Sequence, residues 1–294
     1  MAETKLFETE RKRFPGMHPD AFTAETDKLA LDALRKVPIL PQVVRKFYDL
    51  GIDRWAYSLN MAESVRCGPN QFKTPYAIMR EACAILDVPE PELYIKFNPW
   101  PNAYTFGVER PFITVHSTLL DALSDEQILY LMGHELAHIK AGHVLYMTVA
   151  RWILPLLDAL GRMTLRLGDA VSIGLVLAFY EWMRQAELTC DRGGLLTLQD
   201  KQGAVETIMV LAGGRSRFAD EMNMDEFMTQ ARMYQEAGAL EKLAKVIVFL
   251  LRTATYTHPQ PIFRAQQLEQ WFEGGEYQKI LSGEYLGAPE KAAV

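Results

Sequence analysis

Cysteine is scarce in this chain: Cys67, Cys83 and Cys190 are the only three among 294 residues. They are too few and too scattered for a disulfide framework or a Cys-rich metal site, which fits a reducing compartment. Cys190, next to Asp191, reads as a small buried filler. A basic excess is also missing. Lys and Arg number 31 against 37 Asp and Glu, giving a formal net charge of −6 and a pI near 5.6. Nucleic acid, which calls for a basic face, is therefore not an expected partner. The opening residues, Met1 to Glu8, mix charges without an apolar run, so neither a signal peptide nor an N-terminal anchor is expected and the location reads as cytoplasmic. Apolar runs also fall short of the ~18 residues that a transmembrane helix needs. The stretch between Val144 and Met183 is strongly apolar, but Arg151, Asp158, Arg162, Arg166 and Asp169 interrupt it. Its bland reading is a buried helical hairpin. The sharper one is a hairpin laid against a membrane surface or a partner, with peripheral contact between Val144 and Tyr180. Internal repeats and low-complexity linkers are absent.

Histidine is sparse too, with six in the chain, and this gives weight to the two that stand in Gly133-His134-Glu135-Leu136-Ala137-His138. Side chains four residues apart on a helix lie about 40° apart around its axis, so both imidazoles can reach one cation while Glu135 faces a water on it. That is the layout of a zinc hydrolase. A catalytic zinc usually takes three protein ligands. Glu187, in Glu187-x-x-x-Asp191, supplies the third from a separate helix, and Asp191, one turn on, can accept a hydrogen bond from the free N–H of a ligand His. His143 is a rival third ligand. If the helix continues, however, His143 points about 180° away from His134, and the metzincin spacing does not fit either. It reads as a helix-end or packing residue.

Around this centre the chain reads as predominantly helical with a small β region, an α+β class. Residues 1–23 form an irregular arm with Pro15-Gly16 and Pro19. Helical spacing over residues 25–50 is broken at Pro38 and Pro41. A helix over residues 75–86 precedes three short strands around Leu93–Phe97, Ala103–Phe106 and Phe112–His116. Ser124-Asp125-Glu126-Gln127 has the form of a capping box that starts the motif helix. Gly193-Gly194 lets helices approach closely, and helical periodicity returns over residues 201–213 and 225–252. The organisation expected is an N-terminal arm and helical scaffold over residues 1–84, a zinc metallopeptidase domain over 85–272 and a loosely attached tail over 273–294, or one continuous domain in the simplest version.

Asn102-Ala103-Tyr104, Ile113-Thr114-Val115, His134 to His138, Glu187 to Asp191 and His258-Pro259 occur in an order that resembles the HtpX and CAAX prenyl endopeptidase family of zinc metallopeptidases. Each motif is weak, but their conjunction is specific and covers roughly residues 85–270. The branch without transmembrane spans looks nearest. The resemblance implies a gluzincin with a zincin-like domain and one Zn2+ per chain held by His134, His138 and Glu187. It also implies Glu135 as general base and Ile113, Thr114, Val115 and His116 as the edge strand on which an extended protein or peptide substrate pairs its backbone. The expected activity is endopeptidase action on unfolded, damaged or membrane-associated proteins. A catalytically silent metal-binding chaperone or adaptor using the same cleft is the alternative, and the intact Glu135 counts against it.

The resemblance also gives His258 a catalytic place, as a His brought back to the metal from the far end of the domain. Two roles fit: a donor to the oxyanion, or a plug that takes the open metal position until its loop moves. Pro259 and Pro261 stiffen the segment and favour the plug. Steady-state peptidase assays on His258→Ala separate the two roles: kcat falls by ~10²-fold or more for an oxyanion donor and basal activity rises for a plug.

Overall fold

In the computed structural model, which describes residues 7, 9–152, 169–214, 218–236 and 260–287, the architecture is α+β and predominantly helical with one small mixed sheet, as expected. Pro38 separates α1 (Glu25–Arg35) from α2 (Leu40–Asp49), and Pro41 falls in the first turn of α2, where its missing N–H costs nothing. Next come α3 (Ile52–Glu63), β1 (Val65–Arg66), α4 (Lys73–Leu86), β2 (Glu92–Lys96), β3 (Ala103–Phe106) and β4 (Phe112–His116). The helices α5 (Ser117–Ala122), α6 (Asp125–Lys140), α7 (Val144–Arg151) and α8 (Asp169–Leu198) follow. The chain continues with α9 (Lys201–Gly213), α10 (Met224–Glu236), α11 (Pro261–Glu273) and α12 (Glu276–Ser282). His258 and residues 153–168 and 237–252 of the helical stretches lie outside the described residues. Among the described residues no helix is long and apolar enough to cross a membrane.

The strands form one sheet in the order β1-β2-β4-β3, with β2 and β4 parallel and the other pairs antiparallel. This corrects one expectation. Ile113, Thr114, Val115 and His116 are not an edge, because β4 is inserted between β2 and β3 and its backbone is paired on both sides. All five β4 residues are buried. Phe112-Ile113-Thr114-Val115 lacks the alternation of a half-exposed strand, and that pattern belongs to interior strands. The edge near the motif helix is β3.

The arm and the tail are better anchored than their composition implies. Phe14, Met17 and Phe22 are buried in the main core, and the Gly16 N–H donates to Asp87 Oδ2 at 2.7 Å. The His18 N–H donates to the Leu286 carbonyl at 2.8 Å, and Met17 bridges to Gly287. With Tyr277 and Ile280 also buried, the expectation of a loose tail fails for residues 276–287. The apolar side chains spaced three apart on α12 explain the attachment.

The motif helix α6 starts at the expected cap: the Gln127 N–H donates to Ser124 Oγ, and the Gln127 side chain accepts from the Ser124 N–H. It lies against α8 with unusual closeness. A Cβ on Gly133 would stand 2.2 Å from Thr197 Oγ1, and one on Gly193 would stand 2.4 Å from the Ala137 Cβ. Gly194 likewise leaves room for the ring of Tyr130. We expect Gly193→Ala to force the two helices apart and cost ~1–3 kcal/mol, the usual penalty for overpacking a core. Thermal unfolding checks this, and an unchanged midpoint would show that the contact tolerates a methyl group.

Candidate metal centre

The helix α6 delivers His134 and His138 one turn apart on the face turned to α8, and α8 answers with Glu187 and Asp191, also one turn apart. His134 Nε2 stands 3.3 Å from Glu187 Oε2, and His138 Nε2 stands 3.5 Å from Glu187 Oε1. Donor atoms bound at 2.0–2.2 Å in a tetrahedron are about 3.3–3.6 Å apart, so this spacing fits a zinc ion. All four side chains, and Glu135 between them in sequence, are buried. A second donor set overlaps the first, since ring nitrogens of His134 and His138 and the Cys190 thiol lie within 4.8 Å of one another. That thiol sits 3.7 Å from His143 Nδ1, and His143 Nδ1 is 3.2 Å from His138 Nδ1. The thiol thus lies beside the His143 ring that meets His138 Nδ1, and the Glu187 carboxylate faces the Nε2 of both ligand rings.

Electrostatics separate the two sets further. Burial and the surrounding carboxylates push the Cys190 thiol well above its ordinary range, so it is neutral in the metal-free site. Burial alone would lower the basicity of His134, yet its hydrogen bonds with Asp191 and Glu187 outweigh this and lift it to about 9. The pocket therefore draws positive charge to that ring. Burial pushes His138 down. Asp191 accepts from His134 Nδ1 at 3.1 Å and from the Tyr130 hydroxyl at 2.9 Å. Burial would raise its carboxyl, but the Arg264 guanidinium and its hydrogen bonds hold it down to about 2.

Five residues at the site escaped the reading of the sequence. Arg264 on α11 is buried and grips Asp191 with both Nε and Nη2, the former at 2.8 Å, while its Nη1 lies 3.9 Å from Glu187. Arg264 follows His258-Pro259 closely in sequence, and a buried cation there could have been sought once two acids were assigned to the site. Tyr130 lies one turn before His134, a spacing visible in the sequence. Thr105 on β3 donates to Glu135 Oε2 at 2.7 Å, which places the general-base candidate against the edge strand. Arg151 on α7 covers the rings of Tyr104 and Phe106 on that strand at 4.9 and 5.1 Å.

His143 is the fifth, and its expected exclusion as a ligand rested on a helix that does not continue. Gly142, with φ +73°, ends α6 in a Schellman turn: its N–H donates to Ile139 and that of His143 to His138, at 3.1 and 2.9 Å. The turn brings His143 back beside His138 at the cap of α7. It is a bonded neighbour of the site and more than packing.

The chain matches a model of Peptidase family M48 over residues 69–272. It is 32% identical over 274 residues to the plastoglobule-localized metallopeptidase 48, chloroplastic, of Arabidopsis thaliana, covering 91% of this chain and 77% of that protein. A protease HtpX homolog of Methanopyrus kandleri is 30% identical over 170 residues, 54% of this chain and 47% of its own length. Another, from Caldanaerobacter subterraneus, is 29% identical over 111 residues, 37% of each chain. The chain thus spans less than half of either HtpX homolog. No solved structure gives a significant match.

Breaking a buried ion pair from one side leaves an uncompensated charge, at a cost of ~3–5 kcal/mol. We expect Arg264→Leu to lose that much stability in urea unfolding, and Asp191→Asn in the same background to recover part of it. A single variant as stable as the wild type would show that the pair does not support the fold.

Proposed function

Because the chain belongs to peptidase family M48, a family of metallopeptidases, we propose that it is a zinc-dependent endopeptidase acting on unfolded, damaged or membrane-associated proteins, with His134, His138 and Glu187 as the ligands and Glu135 as the general base. The observation that carries this reading is the convergence of two imidazole Nε2 atoms on one buried carboxylate at 3.3 and 3.5 Å. Glu187 is preferred to Cys190 because it faces both Nε2 atoms and needs no deprotonation to bind.

Zinc held there would supply a Lewis acid that polarises the scissile carbonyl and makes water acidic enough to attack. The chain's own residues supply the rest. Glu135 takes the proton of the attacking water and returns it to the leaving amine. Thr105, donating to Glu135 Oε2, fixes the plane of that carboxylate and leaves Oε1 to exchange the proton. Asp191 fixes the Nδ1–H tautomer of His134 and so turns its Nε2 lone pair inward. An extended substrate would add to β3, whose outer edge no strand pairs among the described residues. Tyr104 and Phe106, held under Arg151, give that edge an apolar and cationic flank. His258 keeps the part in catalysis that the family resemblance gives it.

The chloroplast relative is plastoglobule-localized, and we extend a lipid surface to this chain as its working environment, reached peripherally between Val144 and Tyr180. Metal analysis and casein cleavage by the purified protein test the reading. We expect one zinc per chain, its loss in His134→Ala or His138→Ala, and retention of zinc without hydrolysis in Glu135→Gln. Full activity of Glu135→Gln at wild-type zinc content would overturn the mechanism. A wild type that binds zinc and cuts nothing would make the protein a metal-binding chaperone or adaptor.

A further inference from the structure

His134 has its orienting partner in Asp191, but His138 is served by a different and longer chain of groups. His138 Nδ1 stands 3.2 Å from His143 Nδ1, and His143 Nε2 stands 3.0 Å from Asp27 Oδ2. Asp27 lies on α1, outside the stretch that matches the family model. It is buried, and so is His143. The carboxylate also accepts from Trp182 Nε1–H at 3.0 Å and from the Thr189 hydroxyl at 2.6 Å, both on α8. Thr189 Oγ1 in turn accepts the Ala24 N–H at 3.0 Å, at the start of α1.

With Asp27 ionised and both rings neutral, these contacts allow one arrangement of protons. A carboxylate only accepts, so the Nε2 of His143 carries its proton and donates to Asp27. The Nδ1 of a neutral His143 is then a lone pair. Two facing nitrogens need one donor, so His138 carries its proton on Nδ1 and donates to His143. Its Nε2 is left bare, aimed at Glu187. The Cys190 thiol beside His143 Nδ1 is a weak donor at 3.7 Å and does not alter this order.

We propose that Asp27 is a positioning residue for the metal site, acting through His143 to fix the tautomer and ring plane of His138, so that the site is complete only when α1 is docked on α8. The inference rests on His138 being a ligand, as proposed above. Replacing the carboxylate breaks the order of donors. In Asp27→Asn one oxygen is gone, and it cannot accept from Trp182 on one side and from Thr189 and His143 on the other. With the amide turned toward His143, that ring must hold its proton on Nδ1, which faces the proton of His138. The clash is relieved when His138 moves its proton to Nε2, where it blocks a metal.

Zinc affinity by competition with a chelator, together with the visible spectrum of the Co2+-substituted protein, tests this without recourse to turnover. We expect Asp27→Asn to bind zinc ~10- to 100-fold more weakly, as changes in groups that orient a ligand do, and to give an altered Co2+ spectrum. A purely structural role would lower the unfolding temperature of the zinc-free protein and leave the affinity of the folded fraction alone. If Asp27→Asn does not fold, the pair His143→Asn and His143→Leu carries the test: Asn keeps an acceptor for His138 Nδ1–H and should bind zinc more tightly than Leu. Wild-type affinity and spectrum in Asp27→Asn, or equal affinities of the two His143 variants, would overturn the relay. A wild type without stoichiometric zinc would instead overturn the metal site itself.

Discussion

Two helices can lie this close only where a side chain of one meets a glycine of the other, and the contact of α6 with α8 has this character. Gly133 gives way to Thr197, Gly193 to Ala137 and Gly194 to Tyr130. The closeness matters because short acidic side chains have little reach. Glu187 can touch both imidazoles of α6, and Asp191 can touch the first of them, only with the axes drawn together. Each glycine costs about 0.5–1 kcal/mol of helix stability relative to Ala, a cost offset here by the packing of one buried surface on the other. The site is thus a property of a helix pair, and the small sheet contributes the strand that runs beside it.

Drawing so many ionisable groups into a dry interior raises a problem of charge. Glu135, Glu187, Asp191 and Asp27 are all buried, and an isolated buried carboxylate would be neutralised by its own desolvation. The chain resolves this locally. Arg264 satisfies Asp191 with a forked pair of hydrogen bonds and stands near Glu187. For Asp27, burial would raise the carboxyl, but the hydrogen bonds from His143, Thr189 and Trp182 prevail and hold it below the usual range. Glu135 has the Thr105 hydroxyl. Three of these acids are held by groups from another part of the chain, from α11 for Asp191, from α8 and the cap of α7 for Asp27 and from β3 for Glu135. Correct docking of these elements and correct protonation of the site therefore depend on one another.

How far the sequence could be read varied with the range of the interaction. Local signals survived: the break at Pro38, the capping box at Ser124 and the three short strands occur where their residues call for them. So did the composition of the motif helix, since a spacing of four residues fixes a shared face whatever the surroundings. Strand order was not legible. Nothing local distinguishes a strand that ends a sheet from one inserted between two others, except the unbroken apolar run of β4, and Ile113 to His116 were accordingly assigned to an edge that β3 occupies. The tail over residues 276–287 was misread for a similar reason, because the neighbouring glycines mask the two buried residues, Tyr277 and Ile280, that attach it.

His143 marks the boundary between the two kinds of knowledge. By itself the sequence determined that His134 and His138 share a face, that an acid pair one turn apart exists further on, and that the conjunction belongs to a metallopeptidase, because these follow from periodicity and from the order of motifs. It could not determine where α6 stops, since a continuing helix and a turn at Gly142 are both open to the same residues. Only the tertiary structure decided for the turn, through the burial that His143 gains against Trp182 and the carboxylate that α1 places within its reach. The partners of the buried acids are separated from them by as many as 162 positions, as Thr189 is from Asp27. Pairings of that range are selected by the energy of packing the whole core, which no local pattern records.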